Sequence, residues 1–127
     1  MLENVKERLA SFDYQVTEAD SWILTFLIQK VENHIKNICN LSMIPEELLN
    51  IAVDMVVGEF LFNKKSTGNL AGFNLEIAIK QIQEGDTSIT YAIGEGDLTP
   101  EKRLDLLIDY LMNRGKNELL SYRCIKW

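Results

Sequence analysis

Residues 18–39 constrain the fold more than any other part of the chain. Ile23, Leu27, Val31, Ile35 and Ile38 recur at steps of three and four. That spacing is the period of an amphipathic helix and cannot alternate across a strand. Trp22, Phe26 and Ile28 widen the stripe, which predicts burial against more than one neighbour. Thr17 supplies an N-cap, and Glu18 and Asp20 bring negative charge to the first-turn N–H groups, so Thr17-Glu18-Ala19-Asp20 approximates a capping box with Asp in place of Glu. Asn40 supplies the C-terminal stop. A helix this long must pack its apolar face on other elements of the chain.

Those partners are also helical in pattern. Leu2, Val5 and Leu9 predict a short first helix, followed by a turn at Asp13-Tyr14-Gln15-Val16. Pro45-Glu46-Glu47 reads as the first turn of a third helix, with Leu49, Ala52, Val53, Val56, Phe60 and Leu61 on its buried face. The polar run 63–69 breaks the pattern. Thr99-Pro100-Glu101 opens the last helix as N-cap, N1 proline and first-turn acid. Leu104, Leu107, Ile108 and Leu111 form its stripe, and Gly115 ends or bends it before a continuation through 116–122. The predicted helices are therefore about 2–12, 17–39, 45–62 and 99–122, with a terminal tail at 123–127. Two β-prone runs, 78–83 and 87–91, flank Glu84-Gly85-Asp86 and predict a hairpin over about 78–92. The run 73–79 fits either a helix or an extended segment. The expected fold is mainly α: a single-domain antiparallel or orthogonal bundle of about four helices, with a short β-hairpin before the last. The predicted core is Trp22, Ile23, Phe26, Leu27, Val31, Ile35, Leu49, Val53, Val56, Phe60, Leu104, Ile108 and Leu111.

Length and charge narrow the function. A chain of 127 residues suffices for one domain with a real core. A net charge of −6 argues against a nucleic-acid-binding domain, which needs a basic face to displace phosphate counterions. The charge is uneven: residues 1–63 carry four basic and ten acidic groups, residues 99–127 six basic and four acidic. An acidic body with a basic end suits head-to-tail mating with copies of itself or with an acidic partner. A helix C-terminus favours cations in any case, so that simpler cause stays open. Cys39 and Cys124 form no disulfide framework or CxxC site, and reduced thiols are expected. Met1 leads into a charged helix rather than a signal peptide, and no apolar run is long enough to span a membrane.

Catalytic signatures are sparse, and the expectation is a protein that is not an enzyme, with no catalytic, metal or cofactor-binding residues and no cofactor. His34 is the lone histidine, and Cys39 lies five positions on, off the i,i+4 face. Asp105 and Asp109 share a helix face, but Lys102, Arg103 and Arg114 nearby favour a solvated surface over a paired-acid site. Gly94-Glu95-Gly96 lacks a third glycine, and Glu95 and Asp97 would repel phosphate. Trp127 either packs back on its own domain or anchors in a partner.

The order of these features resembles the head–tail connector adaptor family of tailed phages and prophages, often described as head-completion or DNA-packaging proteins. The resemblance runs through Val5-Lys6-Glu7-Arg8-Leu9 with Asp13 and Thr17-Glu18-Ala19-Asp20, then the helices 22–38 and 45–61. It continues in Ile82-Gln83-Glu84-Gly85-Asp86-Thr87-Ser88-Ile89 and the ending Tyr122-Arg123-Cys124-Ile125-Lys126-Trp127. It covers nearly the whole chain; the loop 63–74 has no clear counterpart. It implies a structural virion-assembly protein, forming an adaptor ring under the portal that extends the DNA channel and docks stopper or tail-completion proteins. The implied partners are the portal protein, the stopper or tail-completion protein and the chain itself, as a dodecameric ring in the assembled connector and a monomer when free. No sequence-specific nucleic acid and no membrane are expected. The implied location is the virion connector, and the host bacterial cytoplasm during assembly. The candidate portal or subunit interface is Gly85, Asp86, Arg114, Lys116, Tyr122, Arg123, Lys126 and Trp127. A non-enzymatic helical regulatory or interaction module, binding one protein partner, remains the alternative.

Overall fold

The computed structural model describes residues 1–68, 75–78, 80 and 99–121. Its elements are α1 (Leu2–Ser11), α2 (Glu18–Cys39), a 3-10 turn (Glu46–Leu48), α3 (Leu49–Ser66), α4 (Pro100–Asn113) and α5 (Lys116–Ser121). The protein is mainly α, a helix bundle with no strand among the described residues. Within the run 73–79, left open between helix and extended chain, the described residues 75–78 are helical. Ala78, expected to open the hairpin, is instead helical and fully buried, while Leu75 packs against the same core. Lys80, also expected in the hairpin, is helical as well; 79, 81–92 and the tail 123–127 lie outside the described residues.

The bundle is organised around α3, which packs on α1, α2 and α4. Its buried residues run almost without interruption: Ile51, Ala52, Val53, Asp54, Val56, Val57, Gly58, Phe60 and Leu61. A helix apolar on nearly all sides has to be surrounded. Residue pairs fix the directions. Lys30 meets Glu59, and Asp20 meets Lys64, so α2 runs antiparallel to α3. Lys65 meets Asp105, and Asp54 meets Arg114, so α4 is antiparallel to α3 as well. The Cys39 thiol donates to the Leu119 carbonyl at 3.1 Å, which seats α5 at the end of α2.

Capping accounts for most of the boundaries. Thr17 Oγ1 accepts from the Asp20 N–H, and the Asp20 carboxylate accepts from the Thr17 N–H, both at 3.2 Å, completing the capping box. Asn40 ends α2 in the left-handed conformation at φ 53°. Thr99 caps α4 by accepting from the Lys102 N–H. Two boundaries depart from the sequence reading. Pro45 stands before a 3-10 turn rather than inside the α-helix, so α3 proper begins at Leu49. At its other end α3 continues to Ser66, a turn past the expected 62, because Lys64 and Lys65 find carboxylates on α2 and α4. The last helix is two helices, divided at Gly115.

The predicted core needs one correction. Leu27, Val31, Ile35, Val53, Val56, Phe60, Ile108 and Leu111 are buried, and Ile23, Leu49 and Leu104 are partly buried against them. Trp22 and Phe26 are not core: they are 79% and 67% exposed. The buried line of α2 is Leu24, Leu27, Val31, Ile35 and Cys39. At 100° per residue, Trp22 and Phe26 lie roughly 160° around the helix from Leu24. They occupy the opposite face and cannot widen the stripe.

Close approach of helices, rather than turn geometry, explains two glycines. A Cβ at Gly58 would meet Met112 Cγ at 2.6 Å and the Ile108 carbonyl at 3.3 Å, so α4 lies directly over this position. A Cβ at Gly115 would overlap three atoms of Ile51, including Cγ1 at 2.8 Å. Gly115→Ala is expected to destabilise the protein by about 1–3 kcal/mol through overpacking. Ile51→Ala alone also destabilises, by opening a cavity. The double substitution should cost clearly less than the sum of the two, as measured by urea unfolding; strict additivity would show that the two sites do not meet.

Candidate functional site

Three features outside the apolar core carry chemistry: two buried carboxylates and one exposed aromatic face.

The first carboxylate is Asp20, 1% exposed at the start of α2. Its Oδ2 accepts from the Tyr14 hydroxyl at 2.7 Å and the Thr17 N–H, and its Oδ1 pairs with Lys64 Nζ at 2.9 Å. Tyr14 in turn stands edge-on to Phe60, ring centroids 5.7 Å apart. Burial works against the charged form of Asp20. The hydrogen bonds from Lys64, Tyr14 and Thr17 outweigh it and hold the carboxyl below its ordinary value. Burial, and then the neighbouring Asp20, pushes the Tyr14 hydroxyl up. With every partner donating to a carboxylate that stays ionised, the group joins α2 to α3 and presents no base to a substrate.

The second carboxylate is Asp54, 3% exposed on α3. Its Oδ1 accepts from Arg8 Nε on α1 at 3.0 Å, and its Oδ2 accepts from Arg114 Nε at the end of α4. The Arg8 guanidinium also lies 5.0 Å from the centre of the Phe12 ring. One acid thus ties three helices together and faces an open cleft of about 440 Å³, whose rim includes Asn4, Glu7, Ser11 and Asn50.

The aromatic face is formed by Trp22 and Phe26 on α2; Phe62 on α3 is 55% exposed as well. Trp22 and Phe26 are four residues apart, so they share one face of α2. Isolated exposed apolar residues are ordinary; large aromatics grouped on rigid helices mark contact surfaces.

The structure distributes the sequence-derived candidates as follows. Arg114 is engaged with Asp54, and Lys116 is exposed. Gly85, Asp86, Tyr122, Arg123, Lys126 and Trp127 lie outside the described residues. His34 is exposed on the edge of a cleft with Lys30, Asn37 and Glu59, while Cys39 is buried on the opposite side of α2. Asp105 pairs with Lys65, and Asp109 accepts from the Asn113 amide at 2.9 Å. Among the described residues, no three His, Cys, Asp or Glu side chains gather as a metal site, and no helix is long and apolar enough to cross a membrane. Sequence reasoning missed Asp54 altogether. Its one available signal was a charge inside the apolar run 51–57.

Comparison with protein-family models, with curated proteins and with solved structures finds no match to this chain.

The Asp20 group sets a pH expectation. A carboxyl whose value is lowered by folding adds stability that is complete above its ordinary value of 3.8 and disappears as pH falls through the lowered one. Asp20→Asn should therefore destabilise by about 3 kcal/mol at neutral pH, since it leaves Lys64 without its partner. The gap between wild type and variant should narrow as the pH falls below 4, read by denaturant titration at each pH. A gap that widens on acidification would contradict the assignment.

Proposed function

We propose that this chain is a non-enzymatic assembly adaptor of a tailed-phage or prophage head–tail connector. In this reading it joins a ring under the portal, extends the DNA channel, and offers a docking surface to stopper or tail-completion proteins.

The exposed aromatic face carries the proposal. Trp and Phe are the residue types that anchor protein–protein contacts, because each buries a large area with few rotors to immobilise. Trp22 and Phe26 are largely in solvent on the side of α2 opposite its buried line, so they are available to a partner without unfolding of α2. The net charge of −6 is compatible with a channel component, since an acidic wall does not hold phosphate and lets DNA slide. The resemblance in chain order supplies the particular assembly. A heterologous contact that repeats around the portal axis closes into a ring when its rotation matches the portal's symmetry.

The test mixes the protein with the portal that the connector reading expects to be encoded near its gene and images the complexes by electron microscopy. Trp22→Ala combined with Phe26→Ala should leave the thermal midpoint nearly unchanged, because both side chains are largely in solvent, with a stability change within about 0.5 kcal/mol. The same variant should fail to decorate portal rings. Removing residues 122–127 should likewise leave a folded protein that no longer joins. A wild-type protein that ignores the portal refutes the connector role. A double variant that still assembles removes the aromatic face from it.

A further inference from the structure

The Arg8–Asp54–Arg114 cluster has more positive charge than its own acid can neutralise. Both guanidiniums spend Nε on Asp54. Among the described residues their Nη groups carry no hydrogen bond, and both side chains line the open cleft. The cluster is also held in place before any ligand arrives. Asp54 is fixed on the central helix, and Arg8 is braced against the Phe12 ring on its other side. Fixed guanidiniums lose little freedom on binding, and their planar forks match a carboxylate with two parallel hydrogen bonds.

We propose that this cleft, between α1, α3 and the end of α4, is a carboxylate-binding site in which Arg8 and Arg114 share one bound carboxylate. Charge selects the ligand class. Two arginines and one aspartate leave a single positive charge, and Glu7 at the rim carries a negative one. The lining is then neutral overall, so a monoanion leaves one charge uncompensated, whereas a phosphate or sulfate dianion leaves two. Asn4 and Asn50 line the same cleft and can donate their amides to the ligand's second oxygen. The site shares Arg114 with the expected connector interface but involves neither Trp22 nor Phe26, so the two readings fail separately.

The experiment follows the full-length protein by 15N NMR, including the arginine Nε–H resonances, during titration with sodium acetate against chloride at constant ionic strength. Saturable shifts centred on Arg8 and Arg114 are expected. Glu7→Gln touches neither arginine's contact with Asp54, so it keeps the fold, and it should tighten acetate binding about threefold by removing a like charge. Arg8→Lys keeps the charge but loses the fork, and it should weaken binding about tenfold. A blocked tripeptide with one glutamate distinguishes the sources: tighter binding than acetate assigns the site to an acidic side chain of another polypeptide, and equal binding to a free small carboxylate. Absence of saturable binding in both wild type and Glu7→Gln overturns the proposal. Tighter binding of sulfate than of acetate, or an Arg8→Lys variant of unchanged affinity, overturns it as well.

Discussion

A helix buried on nearly every side cannot carry a charge unless its neighbours answer it, and α3 carries Asp54, 3% exposed, at the floor of a cleft between α1 and the end of α4. An isolated carboxylate there would cost several kcal/mol in lost hydration. The structure answers with Arg8 from one flanking helix and Arg114 from another, each aimed through Nε. The positions of α1 and of the α4–α5 junction therefore depend on one side chain. Gly115, next to Arg114, packs on Ile51, three residues before Asp54. The apolar contact and the ion pairs hold the same corner of the bundle.

Asp20 does the corresponding work at the other end of α3. It satisfies the first turn of α2, accepts the Tyr14 hydroxyl and holds Lys64, whose Nζ also lies 5.8 Å from the centre of the Phe60 ring. The two acids differ in what they leave over. Asp20 is matched by one cation and two further donors, which completes its shell. Asp54 is outnumbered by its two arginines, and its surroundings are open. Stability and recognition are thus separated: one node is closed, and the other leaves charged donors facing a cleft.

The long helices were legible because period and capping agree. Thr17, Asn40 and Thr99 mark ends that the structure places within a residue, since capping is a local matter of hydrogen bonds three or four residues apart. The end of α3 was not legible, because Lys64 and Lys65 look like a polar loop until their acids on α2 and α4 are known. Trp22 and Phe26 were misplaced because hydrophobicity alone does not tell a wide buried stripe from a buried stripe with aromatics on the reverse face. The angle around the helix does, and it sets both opposite Leu24. Of the candidate sites, the arginine cleft was least legible. Its three members are 46 and 60 residues apart, and nothing local connects Arg8 or Arg114 to Asp54.

The sequence by itself determined that the chain is a helical protein, where its longest helix starts and stops, and which positions of α3 are apolar enough to require burial. Those properties follow from backbone hydrogen bonding and from a period that any isolated segment already displays. Tertiary structure alone decided which helix became central, which charges were buried and paired, and which aromatics remained outside. Such outcomes depend on the register of α2 and α4 along α3, and register is set by contacts between residues that sequence spacing does not relate.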